Sequence, residues 1–222
     1  MADFIEVLQS CALFEGIDGR DLQAMLGCLG GRVQDFERGE AILAADSRAE
    51  CVGVVLSGAA QVVLDDFYGN RTIQNRVEPG EMFGEAFACA GVERLPVTVE
   101  GVRSGRVMLI RLRRITETCS NACAFHSRMV MNLLKAMAAR NLQLNRRIEI
   151  TSRRTTREKL MAYLMGQAQR ARSSSFTIPF DRQALADYLC VERSALSAEI
   201  GRLRREGVLE SEKSHFTLLT EA

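Results

Sequence analysis

Arg193, Ser194, Ser197 and Arg202 have the side-chain types and spacing to engage a nucleic acid. They fall on one side of a stretch in which Leu196, Ile200 and Leu203 recur at steps of four and three, the period of an amphipathic helix. Arginine forks and small hydroxyls opposite a buried apolar stripe suit a DNA major groove. Arg193 can take a guanine through two parallel hydrogen bonds or hold a phosphate. Arg202, Arg204 and Arg205 lie further along and suit backbone phosphates, a sequence-blind contribution that salt weakens.

A second element must position that helix. Residues 181–207, DRQALADYLCVERSALSAEIGRLRREG, are expected to form a short helix, a tight turn and the arginine-bearing helix, with Gly207 as the stop. Asp181 is placed to cap the first helix. Leu185, Ala186 and Leu189 form its apolar face, and Ala186 is small enough for a close crossing. Arg182 on this helix joins the candidate DNA contacts. Cys190-Val191-Glu192 fills the turn. Around the pair, residues 152–171 are expected to be a helix capped by Thr155 or Thr156, with Leu160, Tyr163 and Leu164 facing inward. FTIPF after the Arg172–Ser175 loop predicts a strand. Val208-Leu209 and Phe216 to Leu219 predict a β-wing across Glu212 to Ser214. Residues 152–222 are therefore expected to be a winged helix–turn–helix. An ordinary helical hairpin with a solvated basic face has the same local pattern.

Charge separates these two readings. Residues 1–118 hold 12 Lys/Arg against 18 Asp/Glu, whereas residues 119–222 hold 17 against 10. The net of +1 therefore hides an acidic front and a basic back, and the basic half contains the helix pair. A polyanion is the simplest partner for it, with a chance excess of charge on solvated helices the alternative. The seven cysteines, at 11, 28, 51, 89, 119, 123 and 190, are odd in number and irregular in spacing. Reduced thiols and a cytoplasmic location are expected. The opening MADFIEVLQSCALFEG has no basic lead, and no apolar run is long enough to span a bilayer.

The front of the chain is organised differently. Residues 2–30 show helical periodicity that ends at Gly30-Gly31. Residues 32–112 alternate β-rich runs with turn signals at Gly39, Gly58, Tyr68-Gly69-Asn70, Pro79-Gly80, Gly91 and Ser104-Gly105. Short strands in a closed antiparallel architecture are expected. Residues 115–151 then carry a heptad seam of Val130, Leu134, Met137, Asn141, Leu144 and Ile148. The seam predicts a homodimer, with Asn141 pairing with its own copy. The alternative is a helix packed on its own β domain with Asn141 half exposed. The expected class is α+β: residues 1–114 an antiparallel β-roll of cupin-like jelly-roll type, 115–151 a dimerisation helix and hinge, and 152–222 the DNA-binding domain.

This order of parts resembles the Crp/Fnr family of bacterial transcription regulators. In the front half the resemblance rests on residues 36–42 (FERGEAI), 55–58 (VLSG) and 79–85 (PGEMFGE); in the back half it rests on residues 157–160 (REKL) and 181–207. It implies a homodimer on a palindromic DNA operator, contact with RNA polymerase, and an effector bound in the β-roll. The resemblance places that pocket at Gly84, Glu85, Ala86, Arg94 and Leu95, with Met137 and Asn141 from the long helix. Glu85 would take a ribose hydroxyl and Arg94 a cyclic phosphate.

Departures from the family pattern shape the expected mechanism. Members that bind cyclic nucleotides follow the arginine with Ser or Thr, whereas here Arg94 precedes Leu95-Pro96. A lost charge-assisted phosphate contact costs about 1.5–3 kcal/mol. Cyclic AMP is therefore not the expected effector, and no obligatory cofactor or metal is expected. Family members often carry Glu and Arg at the positions of Ser194 and Ala198, so a divergent operator is expected. Cys119 and Cys123, four apart, are a candidate redox pair, with inert thiols the alternative. Each of the two histidines, His126 and His215, is expected at the surface. No phosphate loop, paired-histidine metal motif or Gly-x-Ser-x-Gly elbow supports an enzyme. The competing reading is a cyclic-nucleotide-binding module that controls a protein partner.

Overall fold

The opening helical pattern resolves into α1 (Ile5–Ser10), a 3-10 turn at Ala12–Phe14 and α2 (Gly19–Leu29). Asp18 caps α2 by accepting from the Asp21 N–H at 2.8 Å, and Gly30 ends it in the left-handed region. The computed structural model describes residues 4–65, 67–68, 71–117 and 124–219. The chain divides into two units, Met1–Ala139 and Arg140–Ala222.

In the first unit, β1 (Arg32–Phe36), β2 (Ala41–Leu43), β3 (Cys51–Asp65), β4 (Arg71–Val77), β5 (Met82–Phe83) and β6 (Thr98–Arg111) form one antiparallel sheet. Its path runs β1-β6-β3-β4, with β2 on β6 and β5 on β3. α3 (Glu85–Cys89) and α4 (Leu112–Thr116) follow β5 and β6. Alternation along β3 and β6 serves two cores. Val52, Val54, Leu56, Met108 and Ile110 pack with the helical residues Leu8, Phe14, Leu22 and Leu29. Val55, Val99 and Val107 instead join Phe36, Ile42 and Phe83.

The turns expected at Gly58 and Ser104-Gly105 are absent. Both sites lie inside β3 and β6, the 15- and 14-residue strands that pair with each other. A Cβ on Gly58 would sit 2.5 Å from the Ser104 carbonyl oxygen, and one on Gly105 would sit 2.0 Å from that of Ser57. Pairing shifts register repeatedly between Val55 and Ala60. These glycines therefore mark a bulged close approach of two long strands rather than strand ends.

The long helical pattern also divides. α4 stops at Thr116, where Glu117 is extended, and the long helix is α5 (Ala124–Thr151). Cys119 and Cys123 lie outside the described residues. The first turns of α5 are tied to the chain opening. Buried Asn132 donates through Nδ2 to the carbonyls of Leu13 (3.1 Å) and Glu15 (2.8 Å), and Arg128 donates to that of Gly16. His126, expected at the surface, is buried, and its Nδ1 has no hydrogen-bond partner among the described residues. It precedes the buried Met129 and Leu133 at steps of three and four, so the helical period carries it inward.

The second unit contains α6 (Thr156–Ala171), β7 (Ser175–Thr177), α7 (Arg182–Leu189), α8 (Arg193–Arg205), β8 (Leu209–Glu212) and β9 (His215–Leu218). Thr155 and Glu158 make a reciprocal capping box on α6. Donation by the Thr155 N–H, with the Thr155 hydroxyl beside it, holds the Glu158 carboxyl below its usual range. Asp181 caps α7 by accepting from the Ala184 N–H at 2.8 Å. Cys190 makes the tight turn in the left-handed region, at φ 52°. The wing is a three-stranded sheet in the order β7-β9-β8. Leu160, Tyr163, Leu164, Leu185, Leu189, Leu196, Ile200, Leu203 and Phe216 fill one core beneath it.

Candidate functional site

The α7–α8 pair is held by the stripe that its period predicts. Leu185, Ala186, Leu189, Leu196, Ile200 and Leu203 are all buried, which fixes the opposite side of α8 outward. Arg193, Ser194, Ser197, Ala198, Arg202, Arg204 and Arg205 are exposed. Ser194, Ala198, Gly201 and Arg205 step by four, three and four along the centre of that face. Its middle is therefore low, and a Cβ added at Gly201 would meet open space. Arg193 and Arg204 border the low strip on one side and Arg202 on the other. Among the described residues, Arg193, Arg204 and Arg205 make no ion pair.

Arg182 is held differently. Its guanidinium lies 5.4 Å from the centre of the Phe216 ring and donates to the Lys213 carbonyl at 3.2 Å. Burial pulls its pKa down from the usual arginine value. It therefore fastens α7 to the wing. His215, exposed as expected, bridges the Ser175 and Thr177 hydroxyls at 2.9 and 3.0 Å.

Two charged residues in this unit were missed by reading the sequence. Glu199 on α8 is only 8% exposed. Its Oε2 accepts from Arg202 at 3.2 Å, and its Oε1 lies 3.8 Å from Arg157 of α6. Arg157 also pairs with Glu206 at 2.7 Å. This contact raises the Arg157 pKa and lowers that of Glu206. The signal was available: Leu196, Glu199 and Leu203 share the helical stripe, and an acid among leucines needs a cationic partner.

The β-roll candidates are also placed. Gly84 is left-handed (φ 77°) at the start of α3, Glu85 is buried and Ala86 half-buried. Leu95 is buried. Arg94 is 60% exposed and turned to its own neighbourhood, where it donates to the Asp46 carbonyl at 2.8 Å and pairs with the Asp46 carboxylate at 3.4 Å. Backbone bonds from Leu95 N to Ser47 O and from Asp46 N to Leu95 O, each 2.8 Å, hold the two segments together.

Along α5, Leu134, Leu144 and Ile148 are exposed by 58%, 53% and 63%. Val130 and Met137 are half-buried, and Met137 packs on the core formed with α1 and α2. Asn141 is exposed and accepts from the Asn145 amide at 2.9 Å. Met131 and Leu142, outside the seam, are exposed too. Among the described residues, no helix is long and apolar enough to cross a membrane.

Residues 33–122 match the cyclic nucleotide-binding domain family, and residues 158–222 match the Crp-like helix-turn-helix domain family. The two occur in the order and at the places that the β-roll and the winged unit occupy. The chain belongs to the Crp/Fnr family of transcription regulators. Members of this family are DNA-binding regulators and not enzymes. The fold is similar to that of the catabolite activator protein of Thermus thermophilus, with 18% identity over 93% of each chain and a TM-score of 0.50. It is similar to the c-di-GMP responsive global regulator CLP of Xanthomonas campestris, with 13% identity, 92% of this chain and all of that chain covered, and a TM-score of 0.56. It is also similar to DNR of Pseudomonas aeruginosa, with 18% identity over 97% of this chain and 93% of that chain, and a TM-score of 0.51. No curated protein sequence matches the chain. For a Crp/Fnr regulator, the low face of α8 lacks the long polar side chains that many members carry at the positions of Ser194 and Ala198.

Proposed function

We propose that this Crp/Fnr regulator acts as a homodimer that reads a palindromic operator through α8, gated by an effector other than cyclic AMP. The carrying observation is the set of exposed arginines on α8, Arg193, Arg204 and Arg205, which make no ion pair among the described residues. Arg193 reads base edges beside Ser194 and Ser197, while Arg204 and Arg205 hold phosphates. The exposed leucines and isoleucine of α5 support a two-fold seam, in which Asn141 fixes register. Half-sites about 34 Å apart follow from that symmetry. Arg94 engaged by Asp46, with Leu95-Pro96 after it, supports an effector unlike a cyclic monophosphate. Effector binding in the β-roll shifts the paired α5 helices and so the spacing of the two reading helices. RNA polymerase is the proposed protein partner on the promoter, and the cytoplasm the proposed location. The proposed domain limits remain 1–114, 115–151 and 152–222.

The test is selection of bound sequences from a random duplex pool with the full-length protein, repeated with Arg193→Ala. A two-fold symmetric motif is expected, with a loss of about ten- to a hundredfold in the variant while dimerisation persists. An unchanged affinity in Arg193→Ala favours the reading as a module that controls a protein partner. Indifference to every duplex at low salt overturns the proposal.

A further inference from the structure

Glu199 is an acid on the helix proposed to meet a polyanion, and it is almost fully buried. It faces an arginine on each side: Arg202 donates to Oε2 at 3.2 Å from one turn along α8, and Arg157 of α6 stands 3.8 Å from Oε1, which has no hydrogen-bond partner among the described residues. The Arg202 side chain is itself 60% exposed, so its guanidinium sits at the rim of the face, bonded to the protein rather than reaching outward. Arg157 is further committed to Glu206, 2.7 Å away. Of the four arginines on α8, Arg202 is the one in an ion pair among the described residues.

We infer that Glu199 sets specificity by restraint: it holds Arg202 back from phosphates in loose, sequence-blind complexes. Arg202 is released only when α8 is fully seated on its operator. A cation on a flexible stem gains affinity on any duplex by displacing counterions, and this raises binding everywhere equally. An acid beside it cancels that gain unless a closely placed phosphate outcompetes the acid. Close placement requires the Ser194–Ala198–Gly201 strip to enter the groove, and entry depends on sequence. The low strip and the tethered arginine thus act together, the first admitting the groove floor and the second rewarding only full entry. Glu199 acts through Arg202 and is a positioning residue. The inference rests on the DNA-binding reading of α8.

The test compares full-length wild type, Glu199→Gln and the double variant Glu199→Gln/Arg202→Ala. Each is titrated with a random-sequence 30-base-pair duplex and with the duplex selected by the wild type, at salt from 50 to 200 mM. In Glu199→Gln the random-duplex salt slope is expected to steepen by about 0.9 for each α8 engaged, equivalent to about 3.5-fold across that salt range. Affinity for the selected duplex rises less, so discrimination falls. In the double variant the added slope disappears. A residue that only held α8 in shape would weaken both duplexes and leave the random-duplex slope no steeper, and that result overturns the inference. If melting shows Glu199→Gln unfolded, Arg202→Ala alone decides: a random-duplex slope change under half of 0.9 supports restraint, and a full 0.9 overturns it. Wild type with no affinity for either duplex overturns the DNA-binding reading and this inference with it. Wild type that binds with the slope of Glu199→Gln overturns this inference alone.

Discussion

The β-roll and the winged unit both carry many arginines, but they place them differently. In the β-roll, Arg71 joins Asp65 and Glu100, Arg76 joins Glu78, Arg94 joins Asp46, and Arg106 joins Asp35. The Arg71 and Arg106 pairs tie strand to strand, the Arg94 pair ties loop to loop, and the Arg76 pair is local to the end of β4. In the winged unit, Arg157 ties α6 to α8 and its end, Arg202 pairs within α8, and Arg193, Arg204 and Arg205 stand outward with no ion pair among the described residues. Exposed Arg20, Arg32, Arg38 and Arg48 of the first unit likewise make no ion pair among the described residues, so pairing alone does not single out α8; what does is that its outward arginines share one helix opposite a buried stripe. Surface pairs add little stability individually, so the tied arginines of the β-roll are best seen as neutralising the surface.

Glycine offers the sharpest way to break this comparison, because the same substitution is expected to have opposite signs in the two regions. Gly105→Ala puts a Cβ onto the Ser57 backbone and is expected to cost about 3 kcal/mol, lowering the melting temperature by roughly 10 °C by circular dichroism. An unshifted melt would mean that β3 and β6 do not approach as described. Ile148→Glu places a charge in the proposed α5 seam. A rise of about a hundredfold in the dimer dissociation constant by analytical ultracentrifugation is expected, and no change would remove the seam. Thr155→Ala breaks the α6 capping box for about 1 kcal/mol in chemical denaturation. Gly201→Ala, in open space on α8, should stabilise by about 0.5–1 kcal/mol in the same assay.

The smallest effect depends on pH. Arg157 holds the Glu206 carboxyl below its ordinary value of 4.5 in the folded protein. A group lowered by folding contributes stability above its unfolded pKa and loses it as pH falls through the lowered folded value. The melting difference between wild type and Glu206→Gln should therefore be constant from pH 7 to pH 5 and shrink below about pH 4.5. A difference that grows on acidification would show that Arg157 does not engage Glu206.

Much of the winged unit was legible because its signals are local. Asp181, the Leu196–Ile200–Leu203 stripe and the Cys190 turn each depend on neighbours within one or two helical turns. The β-roll was legible as a class and not in detail. Gly58 and Gly105 look like turn residues in isolation, and only the pairing of strands some 45 positions apart shows that they relieve a backbone collision. His126 was misplaced because polarity was weighed above helical period. Glu199 was overlooked because its partner Arg157 comes from a separate helix. Arg94 was identified as anomalous from Leu95-Pro96, but its engagement with Asp46 depends on a segment 48 residues away.

The bonds from Asn132 and Arg128 to the carbonyls of Leu13, Glu15 and Gly16 have a practical consequence. Leu13, Glu15 and Gly16 supply acceptors to α5, and Leu13 and Phe14 share one core with Met129 and Leu133. A polypeptide trimmed to begin at residue 18 would take both carbonyl acceptors from the Asn132 amide and open the core shared by Met129 and Leu133 to water. Such shortening from the front is expected to yield insoluble aggregate rather than a minimal sensor, whereas a fusion partner joined ahead of residue 1 leaves these bonds untouched.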